Sequence, residues 1–185
     1  MLVEVRWHGR GGQGIVTVSR LLAQAALLDG KYVQAFPEFG PERRGAPVTG
    51  YTRISDEPIT IHSHIYNPSI IVIVDPTLIG QIDVTKGLVE DGTVVANTEK
   101  TPQELKESLK TEKAKVYTVN ATRIALDVLG RPIYNTAMLG ALVKASPLVT
   151  LESLSKVVTE RFPGAVGEKN VAVIKRAYEE AKGIE

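Results

Sequence analysis

Three glycines, Gly9, Gly11 and Gly14, stand at G-x-G-x-x-G spacing in the stretch Val5-Arg6-Trp7-His8-Gly9-Arg10-Gly11-Gly12-Gln13-Gly14-Ile15-Val16, between an apolar run and a segment of helical period. Missing β-carbons let a backbone turn sharply and approach a ligand within hydrogen-bond reach. The helix that follows aims free N–H groups and a partial positive charge at an anion. Gly9, Gly11, Gly12, Gln13 and Gly14 are therefore candidates for a phosphate cradle. The same glycines also suit close packing of strand on helix with no ligand, and their spacing alone does not choose. A second concentration lies in Phe36-Pro37-Glu38-Phe39-Gly40-Pro41-Glu42-Arg43-Arg44-Gly45-Ala46-Pro47, with two of the three phenylalanines, three prolines and adjacent arginines. Arg43 and Arg44 are placed to clamp a phosphate opposite the glycine turn. As charges alone they equally suit a solvated pair offset by Glu38 and Glu42.

Other chemistries find less support. A dinucleotide site wants a carboxylate at the end of the second strand to hold ribose hydroxyls, and here Glu38 stands behind a proline. His62-Ser63-His64 puts two imidazoles on one side of an extended segment, but a metal would need a further ligand and only His8 remains, so no metal site is expected. No serine sits in a G-x-S-x-G elbow, and no Gly-Lys-Ser/Thr follows the glycines, which disfavours hydrolase and NTPase readings. Asp75-Pro76 ends an apolar strand where α/β crevices form, yet reads best as a helix cap followed by proline at the first position. Asn97-Thr98 ends a later strand and is expected at the same crevice. No catalytic residue is assigned.

Holding these groups in place requires strands and helices in alternation. Short β-branched runs at Leu2 to Trp7, Tyr32 to Phe36, Val48 to Ile54, Ser69 to Val74, Thr93 to Asn97 and Lys115 to Val119 alternate with helical segments. The helices are expected over Gly14 to Leu28, Thr77 to Ile82, Pro102 to Leu109, Ala121 to Leu129, Thr136 to Ser146, Leu151 to Thr159 and Glu168 to Lys182. This is the pattern of an α/β fold: a single three-layer domain over residues 1–185, with a mainly parallel sheet flanked by helices and a glycine-rich first strand-helix turn. Ile70-Ile71-Val72-Ile73-Val74 lacks polar alternation, as a central strand covered on both faces should. Thr101-Pro102-Gln103-Glu104 predicts a capping box.

The chain has 185 residues, enough for a core without disulfide or metal staples. Lys plus Arg total 22 against 21 Asp plus Glu, so no global field draws it to nucleic acid or an acidic membrane face. Cysteine is absent, which removes disulfides, thiolate metal sites and cysteine-ligated clusters from this chain. No stretch reaches the ~18 apolar residues of a membrane span, and the amino end lacks a signal peptide's pattern. A cytoplasmic protein is expected.

Trp7-His8-Gly9-Arg10-Gly11-Gly12-Gln13-Gly14 and Phe36-Pro37-Glu38-Phe39-Gly40-Pro41-Glu42-Arg43-Arg44-Gly45, together with Asn135-Thr136-Ala137-Met138-Leu139-Gly140-Ala141, resemble the gamma subunit of the 2-oxoacid:ferredoxin oxidoreductases, in the pyruvate or 2-oxoisovalerate branch. The resemblance spans nearly the whole chain. It implies a subunit inactive alone, in a complex that converts 2-oxoacid, coenzyme A and oxidised ferredoxin to acyl-CoA, carbon dioxide and reduced ferredoxin. It further implies that thiamine diphosphate and iron–sulfur clusters reside in alpha, beta and delta-type partner subunits. On the same ground Arg43 and Arg44 are assigned to coenzyme A phosphates and Asn135 is a further contact, although Asn135 also suits an N-cap. Two other functions remain open: an NADP-dependent oxidoreductase with a Rossmann-like site, and a purely structural assembly subunit.

Overall fold

Along β1 (Leu2–Arg10), Val3, Val5 and Trp7 alternate with Glu4, Arg6 and His8, so one face is apolar and the other carries charge. The computed structural model of the chain describes residues 1–38 and 43–185; Phe39, Gly40, Pro41 and Glu42 of the second motif lie outside the described residues. The remaining strands are β2 (Tyr32–Pro37), β3 (Pro47–Ser55), β4 (Ile70–Ile73), β5 (Thr93–Asn97), β6 (Lys115–Val119) and β7 (Lys182–Ile184). They form one sheet in the order β2-β3-β1-β4-β5-β6-β7. Its centre, β1-β4-β5-β6, is parallel, whereas β3 pairs antiparallel with both β1 and β2, and β7 antiparallel with β6.

Helices cover both faces. The larger core joins Val5, Trp7, Val72 and Val95 to helices α1 (Ile15–Leu28), α3 (Ala121–Leu129), α4 (Asn135–Ala145), α5 (Leu151–Arg161) and α6 (Ala165–Glu180). The smaller core packs Ile71, Ile73 and Val94 against Leu105 of α2 (Pro102–Leu109) and against Leu78 and Val84. β4 is buried along its whole length, as the unbroken apolar run predicts. α4 is buried from Asn135 to Val143, because it lies between the sheet and α6. Gly140 permits that contact: a β-carbon there would come within 2.0 Å of the Ile174 carbonyl oxygen. Trp7 keeps its indole in the core because Nε1 donates to Thr52 Oγ1 (3.1 Å), whose hydroxyl donates to the Ser19 carbonyl (2.9 Å).

The capping box at Thr101 and Glu104 forms in both directions. Three local expectations change. The short helix expected over Thr77 to Ile82 is a single 3-10 turn, Pro76–Leu78, and Gly80 at φ +86° breaks any continuation. The last helix stops at Glu180, and the residues beyond it become β7, where Gly183 crosses the Tyr117 ring at a distance no β-carbon would allow. Asn135 does not cap α4: Tyr134 holds the cap position and Asn135 is the first helical residue. Its side chain is drawn away toward α1.

Candidate functional site

β1 and α1 meet at the glycine turn. Gly14 adopts the left-handed conformation (φ +73°) as the residue before α1, and no side chain caps the helix, so its first-turn amides keep the anion-attracting character of an open N-terminus. The five turn positions divide into separate roles. Gly9 is buried beneath Ile15, whose Cδ1 would lie 2.2 Å from a β-carbon, and so it serves strand-to-helix packing. Gly11 lies against the second motif: a β-carbon would meet the Arg43 carbonyl oxygen at 2.3 Å. Gly12, exposed at φ +89°, lies under the Arg44 side chain, with Cγ and Nε 3.7 and 3.9 Å from a β-carbon position. Gly14 abuts Asn135, whose Nδ2 donates to the Gly14 carbonyl at 3.3 Å.

The two motifs distant in sequence are therefore joined. Gly11 and Arg44 form a parallel β-bridge, in which Gly45 N–H donates to the Gly11 carbonyl (3.0 Å) and Gly11 N–H donates to the Ala46 carbonyl (2.8 Å). Topology explains the meeting. β2 runs parallel to β1 but with β3 between them, so residues 43–46, which lead into β3, lie at the carboxyl edge beside the glycine turn. The same insertion sets the β2 terminus, where Glu38 lies, two strand spacings from β1, roughly 10 Å. That is not the adjacent parallel strand a dinucleotide site uses for its ribose carboxylate.

Gln13 turns inward. Its Oε1 accepts from Arg10 N–H (2.8 Å), and its Nε2 donates to Asp75 Oδ2 (2.6 Å) and to Tyr134 Oη (3.1 Å). Arg10 extends the network to the Gly45 carbonyl, Thr77, Gln81 and the Asp75 carboxylate. Burial pushes Asp75 upward, but hydrogen bonds from Thr77 and Gln13 and the nearby Arg10 charge outweigh it and hold the carboxyl below its usual range. Burial and the Asp75 charge raise Tyr134. Asp75 is thus both the cap of its 3-10 turn and the anchor of the glycine turn. Asn97, buried at the end of β5, donates to the Val74 carbonyl and to Thr122 Oγ1. Tyr134 and Arg10 were not among the expected site residues; their only sequence signal is adjacency to Asn135 and inclusion within the glycine motif.

Gly12, Gln13, Gly14, Ile133, Tyr134 and Asn135 line a pocket of about 210 Å³. Asn135 is 8% exposed, and its Oδ1 has no hydrogen-bond partner. Among the described residues no group of three metal-ligating side chains occurs, and His64 packs against Phe36 and Tyr51. No helix among the described residues is long and apolar enough to cross a membrane.

On the far side of β1, His8 is 6% exposed. Its Nε2 accepts from Arg6 Nε (3.0 Å), while Arg6 also bonds the Val84 and Lys86 carbonyls. Burial first, and the Arg6 charge second, lower His8 to about 4. The unfolded chain, titrating near 6.5, takes that proton first, so stability is full above pH 6.5 and falls as pH drops toward 4, by roughly 3 kcal/mol across the window. Urea unfolding at pH 7 and pH 4.5 should show the loss, and His8→Gln should flatten it. Parallel pH profiles for the two proteins would count against a buried neutral imidazole.

A glycine turn at the carboxyl edge of parallel strands, with a pocket walled by Gly12 to Gly14 and residues 132–135 but not by Arg43 or Arg44, marks the class: an α/β domain with a cavity at the edge where open sheets place ligand crevices. Residues 4–180 match the family described as pyruvate ferredoxin/flavodoxin oxidoreductase, and the chain belongs to that family. It is 52% identical, over 100% of both chains, to the pyruvate/ketoisovalerate oxidoreductases common subunit gamma of Pyrococcus furiosus. The solved pyruvate oxidoreductase subunit PORC of Thermotoga maritima is similar at 42% identity and a TM-score of 0.89, covering 100% of this chain and 99% of that one. The 2-oxoglutarate:ferredoxin oxidoreductase of Magnetococcus marinus, with 2-oxoglutarate, coenzyme A and succinyl-CoA bound, aligns with a TM-score of 0.76 and 19% identity, covering 96% of this chain and 30% of that one. That last likeness is one of fold.

Proposed function

We propose that the chain is the gamma subunit of a pyruvate-type 2-oxoacid:ferredoxin oxidoreductase and that its glycine turn and arginine loop hold coenzyme A. The observation that carries this reading is the Gly11–Arg44 bridge, which sets a basic loop directly across from an uncapped helix N-terminus. Between them they offer backbone N–H groups and guanidinium forks, the donor set a diphosphate takes. The coenzyme supplies the thiol that accepts the acyl group. The chain's own contribution is position: Gly12 and Gly14 let the diphosphate approach, Arg43 and Arg44 neutralise it, and Gln13, Asp75 and Arg10 fix the turn that does so. None of its side chains makes or breaks a bond. With no cysteine, it leaves iron–sulfur clusters, and with them thiamine diphosphate, to alpha, beta and delta-type subunits, through which ferredoxin is reduced in the cytoplasm. The displaced Glu38 disfavours an NADP-dependent enzyme.

The test uses the assembled complex. Arg44→Ala should raise the apparent KM for coenzyme A about tenfold, the value of one charge-assisted contact near 1.4 kcal/mol, and leave 2-oxoacid decarboxylation intact. Arg43→Ala should act in the same direction. Coenzyme dependence equal to that of the unaltered complex in both variants rejects the assignment and leaves the loop as an assembly surface.

A further inference from the structure

Beyond Asn135 lies a second and larger pocket, about 500 Å³, between the α3–α4 connection and the α5–α6 corner. Leu129, Ile133, Phe162 and Val166 give it apolar walls, and two of these are unusually open: Ile133 is 51% and Val166 56% exposed. Arg131, Arg161 and Lys169 also line it, and no carboxylate does. Among the described residues none of the three has a carboxylate within 4.0 Å; Arg161 lies over the Phe162 ring instead. Such a site favours an anion attached to a flat or apolar body.

Two observations tie this pocket to the glycine turn. Ile133 and Asn135 line both cavities, so the two adjoin, with Asn135 at their shared boundary. Asn135 commits Nδ2 to the Gly14 carbonyl, which fixes the amide orientation and leaves Oδ1 as a buried acceptor with no partner. An unmet buried acceptor is costly, and Asn135 places this one at the wall the two pockets share.

We propose that this pocket takes the 3′-phosphoadenosine end of coenzyme A: the adenine between the Ile133 and Val166 walls with its amino group toward Asn135 Oδ1, and the 3′-phosphate among Arg131, Arg161 and Lys169. The proposal rests on the coenzyme A reading above and deepens it. It makes those three cations the determinants that distinguish coenzyme A from 3′-dephospho-coenzyme A. None of them touches the glycine turn or the arginine loop through any hydrogen bond among the described residues.

The experiment compares KM for coenzyme A and for 3′-dephospho-coenzyme A in the assembled complex. The unaltered complex should favour coenzyme A by tenfold or more. Arg131→Gln, Arg161→Gln and Lys169→Gln together should raise KM for coenzyme A about tenfold and leave that for the dephospho form unchanged. Lys169→Gln alone, an exposed change on α6, should give a smaller shift of the same selectivity if the triple variant does not assemble. A complex that does not discriminate, or variants that move both values equally or neither, overturns the proposal. Arg44→Ala separates the two readings, because it should weaken both coenzymes alike. If it does so while the cation variants leave selectivity intact, the coenzyme stays assigned to the turn and this pocket is not its nucleotide end.

Discussion

Gly11→Ala should weaken coenzyme A binding in the assembled complex by about 100-fold and leave the fold in place. Gly11 does not occupy the left-handed region, so alanine brings no backbone strain. Its β-carbon, however, would lie 2.3 Å from the Arg43 carbonyl oxygen and 3.0 Å from the carbonyl carbon. Both are backbone atoms, and no rotamer change removes the clash. The loop must move off the turn, breaking the bridge and its two hydrogen bonds and withdrawing both guanidinium groups together. Two charge-assisted contacts of roughly 1.5 kcal/mol each give the expected factor. Isothermal titration or KM measurement reads the affinity, and circular dichroism with thermal unfolding monitors the fold. A variant that keeps wild-type affinity would mean the loop and the turn do not act on one ligand.

The largest expected effect on stability belongs to Arg53→Ala. Arg53 is 1% exposed, on β3 between Glu4 of β1 and Gln34 of β2 in register. Its guanidinium donates to Glu4 Oε1 (2.8 Å), Gln34 Oε1 (3.1 Å) and the Ser63 and His64 carbonyls (2.7 and 3.3 Å), and lies 5.4 Å from the Phe36 ring centroid. It thereby ties the segment around residues 63–64 across three strands. Truncation leaves Glu4 and two carbonyls without their donor, a cost of about 3–5 kcal/mol. For a chain of this size that corresponds to a fall in Tm of roughly 6–20 °C. Arg53→Lys keeps the charge but not the fork and should fall between the two. A Tm within 2 °C of the wild type for the alanine variant would show that water replaces the lost contacts at little cost.

Arg53 also shows where reading the chain stops. Its neighbours Gln34 and Glu4 become neighbours only through strand register, and nothing in Thr52-Arg53-Ile54 distinguishes a buried arginine from a strand's solvated side chain. Gln13 poses the same difficulty. Its place inside the glycine motif suggests a ligand contact, but its amide is consumed by Arg10, Asp75 and Tyr134, the last two 62 and 121 residues away. Asn135, by contrast, was legible as part of a motif but not in its geometry, since its bond to Gly14 spans 121 residues.

What the sequence determined by itself was local: the strand-turn-helix at Gly9–Gly14, the capping box at Thr101, the unbroken apolar run of β4, and the concentration of rigidity and positive charge around Arg43 and Arg44. Each follows from backbone sterics, side-chain period or hydrogen bonding within a few residues. Tertiary structure decided that an antiparallel strand enters between β1 and β2, that Arg44 therefore reaches the glycine turn, and that Asn135 lines both the pocket at that turn and a second one beside it. Those outcomes depend on which strands pair and which helices pack, and burial of apolar surface selects among such arrangements through contacts too distant along the chain to leave a local mark.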